Sequence, residues 1–557
     1  MNIRQVFLYC VLAIVAMFLW KAWVSEHPKS SQEAQSSSLA KKNHTPSSSS
    51  RYIPSTFRSA SPQKQHSTRS SSNINNNPPF RENTRLIHAK TDVFDVGFSE
   101  KGGNLVFLKL LKYPTTLKEK NNSLELLSLQ PDNFYINESG LTGLSYQTVV
   151  FRSAKKNYQL LEGKNDLNVV LKGRSQTGLV ITKIYHFQKN KYLIQLTEQV
   201  KNNSSRPWSG SFYDQIQRKK PSSSQRGILR GRIYDGASIS SPKKRYKKIT
   251  YKDMNASNLS ENIQQGWIAM QQRYFVNALI PPSTKTMHYY SRQYQNNIYT
   301  IGMVSPEITL APGQIASFTK SYYIGPKINT RLKAAAPGLD LTINYGWLWI
   351  ISDAIFWVMS KINLLVGNWG WTIVLITILI KILFYPLSAT SFRSMGKMHQ
   401  MQPRIKALKE RFGDDKKALS QATMDLYRKE KINPLGGCLP MLIQIPVFIA
   451  LYYVLIESVQ LRQAPFILWI HDLSSKDPYY ILPVLMGGSM FLTQKLSSVS
   501  IDPNQAKMML ALPVVFTILF ANFPSGLVLY WLVNNCVQGL QQWYVMKKIQ
   551  KRSKKQR

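Results

Sequence analysis

Residues 368–387, NWGWTIVLITILIKILFYPL, form an apolar run with a lysine inside it. The run has the length of about 20 residues that a membrane-spanning helix requires. A charged side chain at the centre of a bilayer costs about 2.5–3.5 kcal/mol on insertion scales. Lys381 lies five residues before Pro386, about 7–8 Å along a helix. Lys381 therefore either extends to the membrane surface or faces a polar interior of the protein.

Further apolar runs predict a polytopic α-helical membrane protein with six transmembrane helices. Residues 1–24 predict an N-terminal uncleaved signal anchor, because the run ends in Trp and Lys rather than in small residues; a cleaved signal peptide is the alternative. The other five predicted spans are residues 369–387, 438–457, 481–497, 508–523 and 526–546. Residues 347–366 carry Asp, Ser and Lys among apolar residues, which predicts an amphipathic helix on the membrane surface.

The segment between the first span and the others has two different compositions. Residues 25–86 are rich in Ser, Asn, Gln, Lys and Pro and predict a flexible low-complexity linker. Residues 87–326 contain short alternating runs such as GLVITKIYHF, which predict a soluble all-β domain made of antiparallel sheets. Within it, the basic stretch 218–248 is interpreted as a solvated loop. No spacing of Cys and His predicts a metal site or a disulfide.

The distribution of basic residues predicts how the chain is oriented in the membrane. The 557 residues include 71 Lys and Arg against 29 Asp and Glu, a formal net charge of +42. Basic residues concentrate in 392–433, predicted as a helical hairpin that turns at Gly-Asp-Asp, and in the tail 547–557. Since positive residues mark the cytoplasmic side, both termini are predicted in the cytoplasm and the β domain outside. Asp414 or Asp415 is expected to cap the second helix of the hairpin.

Three predicted spans place polar side chains in the same cytoplasmic half of the bilayer. Polar groups that faced hydrocarbon would be costly, so these side chains must face one another or water. The sequence therefore predicts a hydrated groove that is open to the cytoplasm and closed towards the outside by apolar side chains. An alternative is that Asn534 and Gln538 only hold helices together. The predicted groove residues are Lys381, Thr377, Gln444, Tyr530, Trp531, Asn534 and Gln538.

Long motifs in these segments resemble the YidC/Oxa/Alb family of membrane protein insertases, specifically its members in Gram-negative bacteria. The motifs are GWIAMQQRYFVNALIP (266–281), GLDLTINYGWLW (338–349), NPLGGCLPMLIQIPVFIALYYVL (433–455), LRQAPFILWIHDLSSKDPYYILPVLMG (461–487) and FPSGLVLYWLVNN (523–535). The resemblance extends over nearly the whole chain apart from 25–86. Lys381 occupies the groove position where the family usually has arginine, and Trp531 a position that is more often tyrosine.

The resemblance implies a non-enzymatic insertase and chaperone of the bacterial inner membrane, with an insertase core at 369–546. Its groove would accept the polar part of a nascent segment around a central positive charge. The resemblance also implies that residues 347–366 lie on the periplasmic membrane surface. The periplasmic domain would be a β supersandwich of the galactose-mutarotase type. Two other functions stay open: a transporter or channel, and a membrane-tethered periplasmic carbohydrate-binding protein.

The same resemblance implies the partners. These are nascent membrane proteins, the Sec translocon (SecYEG and SecDF), the ribosome, the signal recognition particle pathway and membrane lipid. No small-molecule substrate, cofactor or metal is expected. Targeting factors would dock on the hairpin at Arg411, Asp414, Asp415, Lys416 and Lys417. The tail would contact ribosomal RNA by phosphate attraction through Lys547, Lys548, Lys551, Arg552, Lys554 and Lys555.

Overall fold

The computed structural model describes residues 85–119, 121–144, 149–221, 234–413, 415–430, 439–497 and 503–555. The predicted signal anchor 1–24 lies outside the described residues, as does the predicted linker up to residue 84. The described chain has an all-β part followed by a helical part, as the sequence predicts.

The β part begins at Leu86 and ends at Pro326. Its strands are β1 Leu86–Lys90, β2 Phe94–Ser99, β3 Leu105–Pro114, β4 Ser123–Leu127, β5 Tyr135–Leu141, β6 Phe151–Arg152, β7 Asn157–Gln159, β8 Asp166–Arg174, β9 Leu179–Gln188, β10 Leu193–Asn202, β11 Trp208–Gly210, β12 Phe212–Lys219, β13 Gly236–Ser240, β14 Lys247–Ile249, β15 Ser260–Gln264, β16 Trp267–Gln271, β17 Phe275–Ile280, β18 Thr286–Tyr294, β19 Ile298–Val304, β20 Ile308–Leu310 and β21 Ile315–Pro326.

Two large sheets make up this domain. The first has the order β15-β18-β19-β12-β5-β3-β2-β1-β7, with β4 paired to β3, and the second has the order β14-β13-β16-β17-β21-β10-β9-β8-β6. Neighbouring strands are antiparallel at β9–β10 and β10–β21, whereas β1 and β7 are parallel. Alternate residues of β9 are buried, as expected of a strand with one face in a core.

The interpretation of 218–248 as a solvated loop is wrong for part of this stretch. Gly236–Ser240 and Lys247–Ile249 form β13 and β14 at one edge of the second sheet. Arg218 is buried at the end of β12, and its guanidinium lies 2.6 Å from a carboxylate oxygen of Asp235. The basic composition of the stretch concealed these short edge strands, because edge strands tolerate charged residues.

A cluster of charged side chains lies between the two large sheets. Lys183, Glu198 and Lys320 come from β9, β10 and β21 of the second sheet, and Asp214 comes from β12 of the first. All four side chains are at most 1% exposed. Lys320 Nζ lies 2.5 Å from Asp214 Oδ2 and also pairs with Glu198, and Lys183 Nζ lies 3.3 Å from Glu198. These ion pairs join the two sheets across the core.

The helices follow one another from a short one inside the β domain to a long one at the end of the chain. They are α1 Tyr251–Ala256, α2 Asn329–Ala335, α3 Trp349–Val366, α4 Trp369–Leu383, α5 Tyr385–Gln400, α6 Gln402–Phe412, α7 Lys416–Lys429, α8 Leu439–Glu457, α9 Ile481–Ser497, α10 Pro503–Phe520 and α11 Ser525–Lys555.

The bounds of three helices differ from the predicted ones by three residues or more, and one of these is α10, which covers Pro503–Phe520 where 508–523 was predicted. The predicted span 369–387 ends at Leu383, and α5 then continues at an angle of 66° to α4, with Pro386 in its first turn. Proline is well tolerated in a first turn because its missing N–H has no intrahelical partner there. The predicted hairpin 392–433 therefore consists of the end of α5 followed by α6 and α7. At the other end, α11 extends beyond residue 546 to Lys555.

Length and composition allow Gly346–Val366 to cross a membrane, and the α4–α5 pair counts as a second candidate if the two form one span. Shorter apolar helices lie at Gln444–Glu457, Ile481–Leu496 and Ala511–Phe520. The six-helix count and the surface position of 347–366 stay predictions. Large apolar side chains are exposed on these helices, for example Leu383, Leu492 and Ile518. Such a surface is typical of helices that face lipid.

Several hydrogen bonds join the β domain to the helical part, among them bonds that two arginines donate. Arg273, which follows β16, donates from Nε to the carbonyl oxygen of Ile456 near the end of α8, at 2.9 Å. Arg462, in the loop between α8 and α9, donates from Nη2 to the carbonyl oxygen of Pro114 at the end of β3, at 2.8 Å. The ends of α8 and α9 that flank this loop therefore lie next to the β domain.

Candidate functional site

Helix α4 is fixed at its first turn. The side-chain oxygen of Asn368 accepts hydrogen bonds from the backbone N–H groups of Gly370 and Trp371, at 2.8 and 3.2 Å. This is the capping arrangement that satisfies free N–H groups at a helix start. Gly370 packs against the ring of Phe466, and a Cβ atom there would collide with that ring. The start of α4 is thereby held against the loop that contacts the β domain.

Lys381 lies on the buried face of α4, where its side chain is 7% exposed. Its ammonium donates hydrogen bonds to Oε1 of Gln444 in α8, at 3.0 Å, and to Oε1 of Gln538 in α11, at 3.1 Å. Among the described residues, the ammonium has no carboxylate partner. Three helices that are distant in sequence thus meet at one cation that is solvated by neutral amides.

Gln444 connects α8 to two further groove residues. Its Nε2 donates to the hydroxyl of Tyr530, at 3.3 Å, and to Oδ1 of Asn534. Thr377 is buried one turn before Lys381 and donates to the carbonyl oxygen of Ile373 in its own helix, at 2.6 Å. The structure therefore brings Lys381, Gln444, Tyr530, Asn534 and Gln538 into one hydrogen-bonded network. Thr377 lies beside that network, and its hydroxyl is satisfied within α4.

Trp531 does not face this network. Its ring packs against Phe448, Phe516 and Phe520, with centroid distances of 4.7, 6.1 and 5.0 Å. Consecutive residues of a helix point about 100° apart, so Trp531 projects to one side of Tyr530. Trp531 is therefore outside the hydrogen-bonded network, and its assignment to the groove stays a prediction. Trp531 instead belongs to an aromatic cluster on the side of the network nearer the β domain.

A cavity of about 30 Å³ adjoins Lys381, between α4, the start of α5, α8 and α11. This is room for one or two water molecules. Phe384, Ser388 and Val447 line it beside the network residues. The polar groups of the groove therefore satisfy one another in this structure. A cavity of this size has no room for a peptide segment.

Gln541 also contacts the network, as its spacing after Asn534 and Gln538 predicts. It donates from Nε2 to the backbone carbonyl oxygen of Lys381, at 3.2 Å, and its own Oε1 is buried with no hydrogen-bond partner among the described residues. A carbonyl one turn from a helix end lacks an intrahelical donor, and Gln541 supplies one.

The predicted docking residues are described only in part. Asp415 is the N-cap of α7, accepting from the backbone N–H groups of Lys417 and Ala418, both at 3.0 Å. This fits the expected cap, whereas Asp414 and the side chain of Lys416 lie outside the described residues. Arg411 is exposed near the end of α6.

The predicted tail residues lie on the continuation of α11. Lys547, Lys548 and Lys551 are exposed, and Lys547 Nζ lies 4.7 Å from the centre of the Trp543 ring. The side chains of Arg552, Lys554 and Lys555 lie outside the described residues. Within the part of the chain that the structure describes, no group of three or more His, Cys, Asp or Glu could hold a metal ion.

Two family models match the chain. The one described as YidC periplasmic domain matches residues 86–358, and the one described as 60Kd inner membrane protein matches residues 361–553. A membrane protein insertase YidC from Coxiella burnetii is 51% identical over 554 residues, which covers 98% of this chain and 97% of that protein. The chain belongs to the YidC family of membrane protein insertases.

Other relatives with the same name cover the chain equally well. The insertase from Legionella pneumophila is 45% identical, covering 98% of this chain and 97% of that protein, and the one from Nitrosococcus oceani is 42% identical, covering 98% and 99%. The resemblance found in the motifs is confirmed. Members of the YidC family are insertases and not enzymes, and the periplasmic domain places the chain in the inner membrane. The mutarotase-type classification of the β domain stays a prediction.

Proposed function

We propose that this YidC family chain inserts nascent membrane proteins through a groove that opens at Lys381, between α4, α8 and α11. The observation that carries the proposal is the environment of the Lys381 ammonium, which is buried and bonded to two amide oxygens. A cation without a buried counter-charge attracts acidic and polar parts of a substrate. A permanent carboxylate partner would compete with the substrate for the same charge.

The hydrogen bonds of Lys381 to Gln444 and Gln538 hold α4, α8 and α11 together while no substrate is bound. Each bond to the charged group contributes about 1.5–3 kcal/mol, less than a permanently paired charge would. A hydrophilic substrate segment can replace the two amides with its own polar groups and water, so opening the groove leaves no buried polar group unsatisfied. The substrate's apolar helix then leaves the groove sideways into lipid.

The aromatic cluster on the other side of the network supports an insertase rather than a channel. Phe448, Phe516, Phe520 and Trp531 pack together between the polar network and the end of the helices that contacts the β domain. A continuous ion path would need polar groups through both leaflets. We therefore infer a polar groove that extends from the cytoplasmic side only halfway across the bilayer.

The proposed setting has the charged ends of α5–α7 and α11 in the cytoplasm together with both chain termini. This orientation follows from the concentration of Lys and Arg there. The proposed partners are the Sec translocon (SecYEG and SecDF), the ribosome and the signal recognition particle pathway. The exposed Lys547, Lys548 and Lys551 support ribosome contact, because lysines on a helix that leaves the membrane attract RNA phosphates.

The test is to replace Lys381 in cells depleted of their own insertase and to measure insertion of a short single-span substrate with an acidic tail. Lys381→Ala is expected to reduce insertion by at least about tenfold, the factor that corresponds to 1.4 kcal/mol. Lys381→Arg should retain most of the activity, because it keeps the charge. Lys361→Ala is the matched control, since Lys361 is an exposed lysine of α3. Normal insertion by Lys381→Ala at wild-type protein levels would rule out a role of the groove charge.

A further inference from the structure

A second, larger cavity lies at the end of the helical part that is far from the β domain. Its volume is about 630 Å³, and it is bounded by the second half of α5, the end of α9 and the last turns of α11. This volume is within the range of about 300–1,000 Å³ that is typical of small-molecule sites. No residue lines both this cavity and the one at Lys381. Lys547 lies nine residues beyond Gln538, about 13 Å along α11.

Three of the residues that line this cavity carry basic side chains. Lys495 of α9 and Lys547 of α11 contribute ammonium groups, and His399 of α5 contributes an imidazole. None of the ten described residues that line the cavity is acidic. Lysines on two helices that face one concave surface produce a positive potential that favours an anion.

The apolar surroundings of the cavity face outwards. Leu496 and Trp543 line its margin and are 44% and 52% exposed. Leu492 and Leu540, one turn nearer the β domain on the same two helices, are 64% and 66% exposed. An anionic site whose margin continues into an exposed apolar surface suits a molecule with a charged head and hydrocarbon chains. The Trp and Lys side chains at this level are typical of a membrane–water boundary.

We propose that the cavity between α5, α9 and α11 binds the headgroup of an anionic phospholipid. The phosphate lies between Lys495 and Lys547, and the acyl chains follow Leu492 and Leu540 along the outer surface of α9 and α11. Basic pockets between membrane helices bind such headgroups, and each lysine near the membrane surface strengthens binding by about fivefold. A bound lipid would hold α9 against α11 and α5 at the membrane surface while the groove side of α11 stays free to move.

The experiment uses the full chain in proteoliposomes and measures the association of spin-labelled phosphatidylglycerol relative to spin-labelled phosphatidylcholine. The test variant is Lys495→Gln with Lys547→Gln. The matched control is Lys548→Gln with Lys551→Gln, which removes the same charge from exposed positions outside the cavity lining. A third variant, Lys495→Arg with Lys547→Arg, restores the charge.

Wild-type protein and the arginine variant are expected to select phosphatidylglycerol, and the test variant should lose most of that preference, by about fivefold or more. The control should keep it. The proposal is overturned if wild type shows no preference, or if both glutamine variants lose it equally, because general attraction to the basic helix would then suffice. A competition separates the two sources of phosphate. If millimolar inorganic phosphate abolishes the preference, the cavity binds free phosphate and the lipid assignment is refuted.

Discussion

Lysine side chains are buried in both halves of the molecule, but their partners differ. In the β domain, Lys320 is paired with Asp214 and Glu198, and Lys183 is paired with Glu198. In the helical part, the Lys381 ammonium donates to two amide oxygens and adjoins a small cavity, with no carboxylate partner among the described residues. A lysine with carboxylate partners joins elements of a fold, and breaking such a pair is costly. A lysine solvated by amides keeps its charge available to a ligand.

The largest effect that tests this contrast is on stability. Lys320→Met should destabilise the β domain by about 3–5 kcal/mol, because it leaves Asp214 and Glu198 as neighbouring buried carboxylates with one cation fewer. Lys381→Met should destabilise the helical part by less than that, because it leaves two amide oxygens without a donor but no buried charge, and it removes the cost of burying the ammonium. Thermal unfolding of the purified full chain, followed by circular dichroism, measures both.

The control for the first variant is Lys201→Met, at an exposed position of β10. Exposed substitutions of this kind usually change stability by at most about 0.5 kcal/mol. If Lys320→Met and Lys201→Met lower the unfolding temperature equally, the buried ion pairs do not hold the sheets together. If Lys381→Met is as destabilising as Lys320→Met, the two lysines are alike and the contrast fails.

The charged cluster in the β domain could have been noticed from the strand pattern. Lys183 is in phase with Leu179, Ile181 and Tyr185, so the alternation of β9 places it on the buried face. The sequence cannot show its partners, because the contact of Lys320 with Asp214 depends on how the two sheets stack. Residues 198, 214 and 320 come from three strands whose pairing is not local.

The groove was more predictable because helical periodicity is regular. The spacing of Asn534 and Gln538 fixed their common face, and the cost of polar groups in lipid placed that face opposite Lys381 and Gln444. The same periodicity places Trp531 about 100° away from Tyr530 around α11. The bend between α4 and α5 and the closed state of the cavity depend on packing between helices. No local pattern reveals them.

A second prediction concerns the pH dependence of stability. Burial raises the pKa of Asp214 to about 7, although the neighbouring Lys320 opposes this shift. In the unfolded chain this carboxyl ionises near pH 3.9. The folded state therefore binds the extra proton between about pH 4 and pH 7. The stabilising contribution of this group is complete below pH 4 and is lost as pH rises through 7. The loss is about 1.4 kcal/mol per pH unit.

The pKa of Glu198 shifts in the opposite direction. Its burial raises the pKa, but Lys320 and Lys183 outweigh this and hold it below the usual value. Its contribution is complete above about pH 4.3, so it is constant between pH 5 and pH 7. Asp214→Asn should therefore flatten the pH dependence of stability in that interval. Asp132→Asn, at an exposed carboxylate, is the control. A wild-type slope in Asp214→Asn would show that Asp214 does not bind the proton.

The smallest expected effect comes from giving Lys381 a carboxylate partner, as the buried lysines of the β domain have. Gln538→Glu places a carboxylate oxygen where Gln538 Oε1 accepts from Lys381, at 3.1 Å. The new ion pair should leave folding intact but reduce insertion of an acidic-tailed substrate by about tenfold, since the substrate would compete with a permanent partner. Insertion in depleted cells measures this. Asn535→Asp is the matched control, because it adds the same charge three residues earlier in α11, where the side chain contacts Ser489 instead of Lys381. If both variants insert equally well, the availability of the Lys381 charge does not limit insertion, and the difference between the two buried lysines is only one of packing.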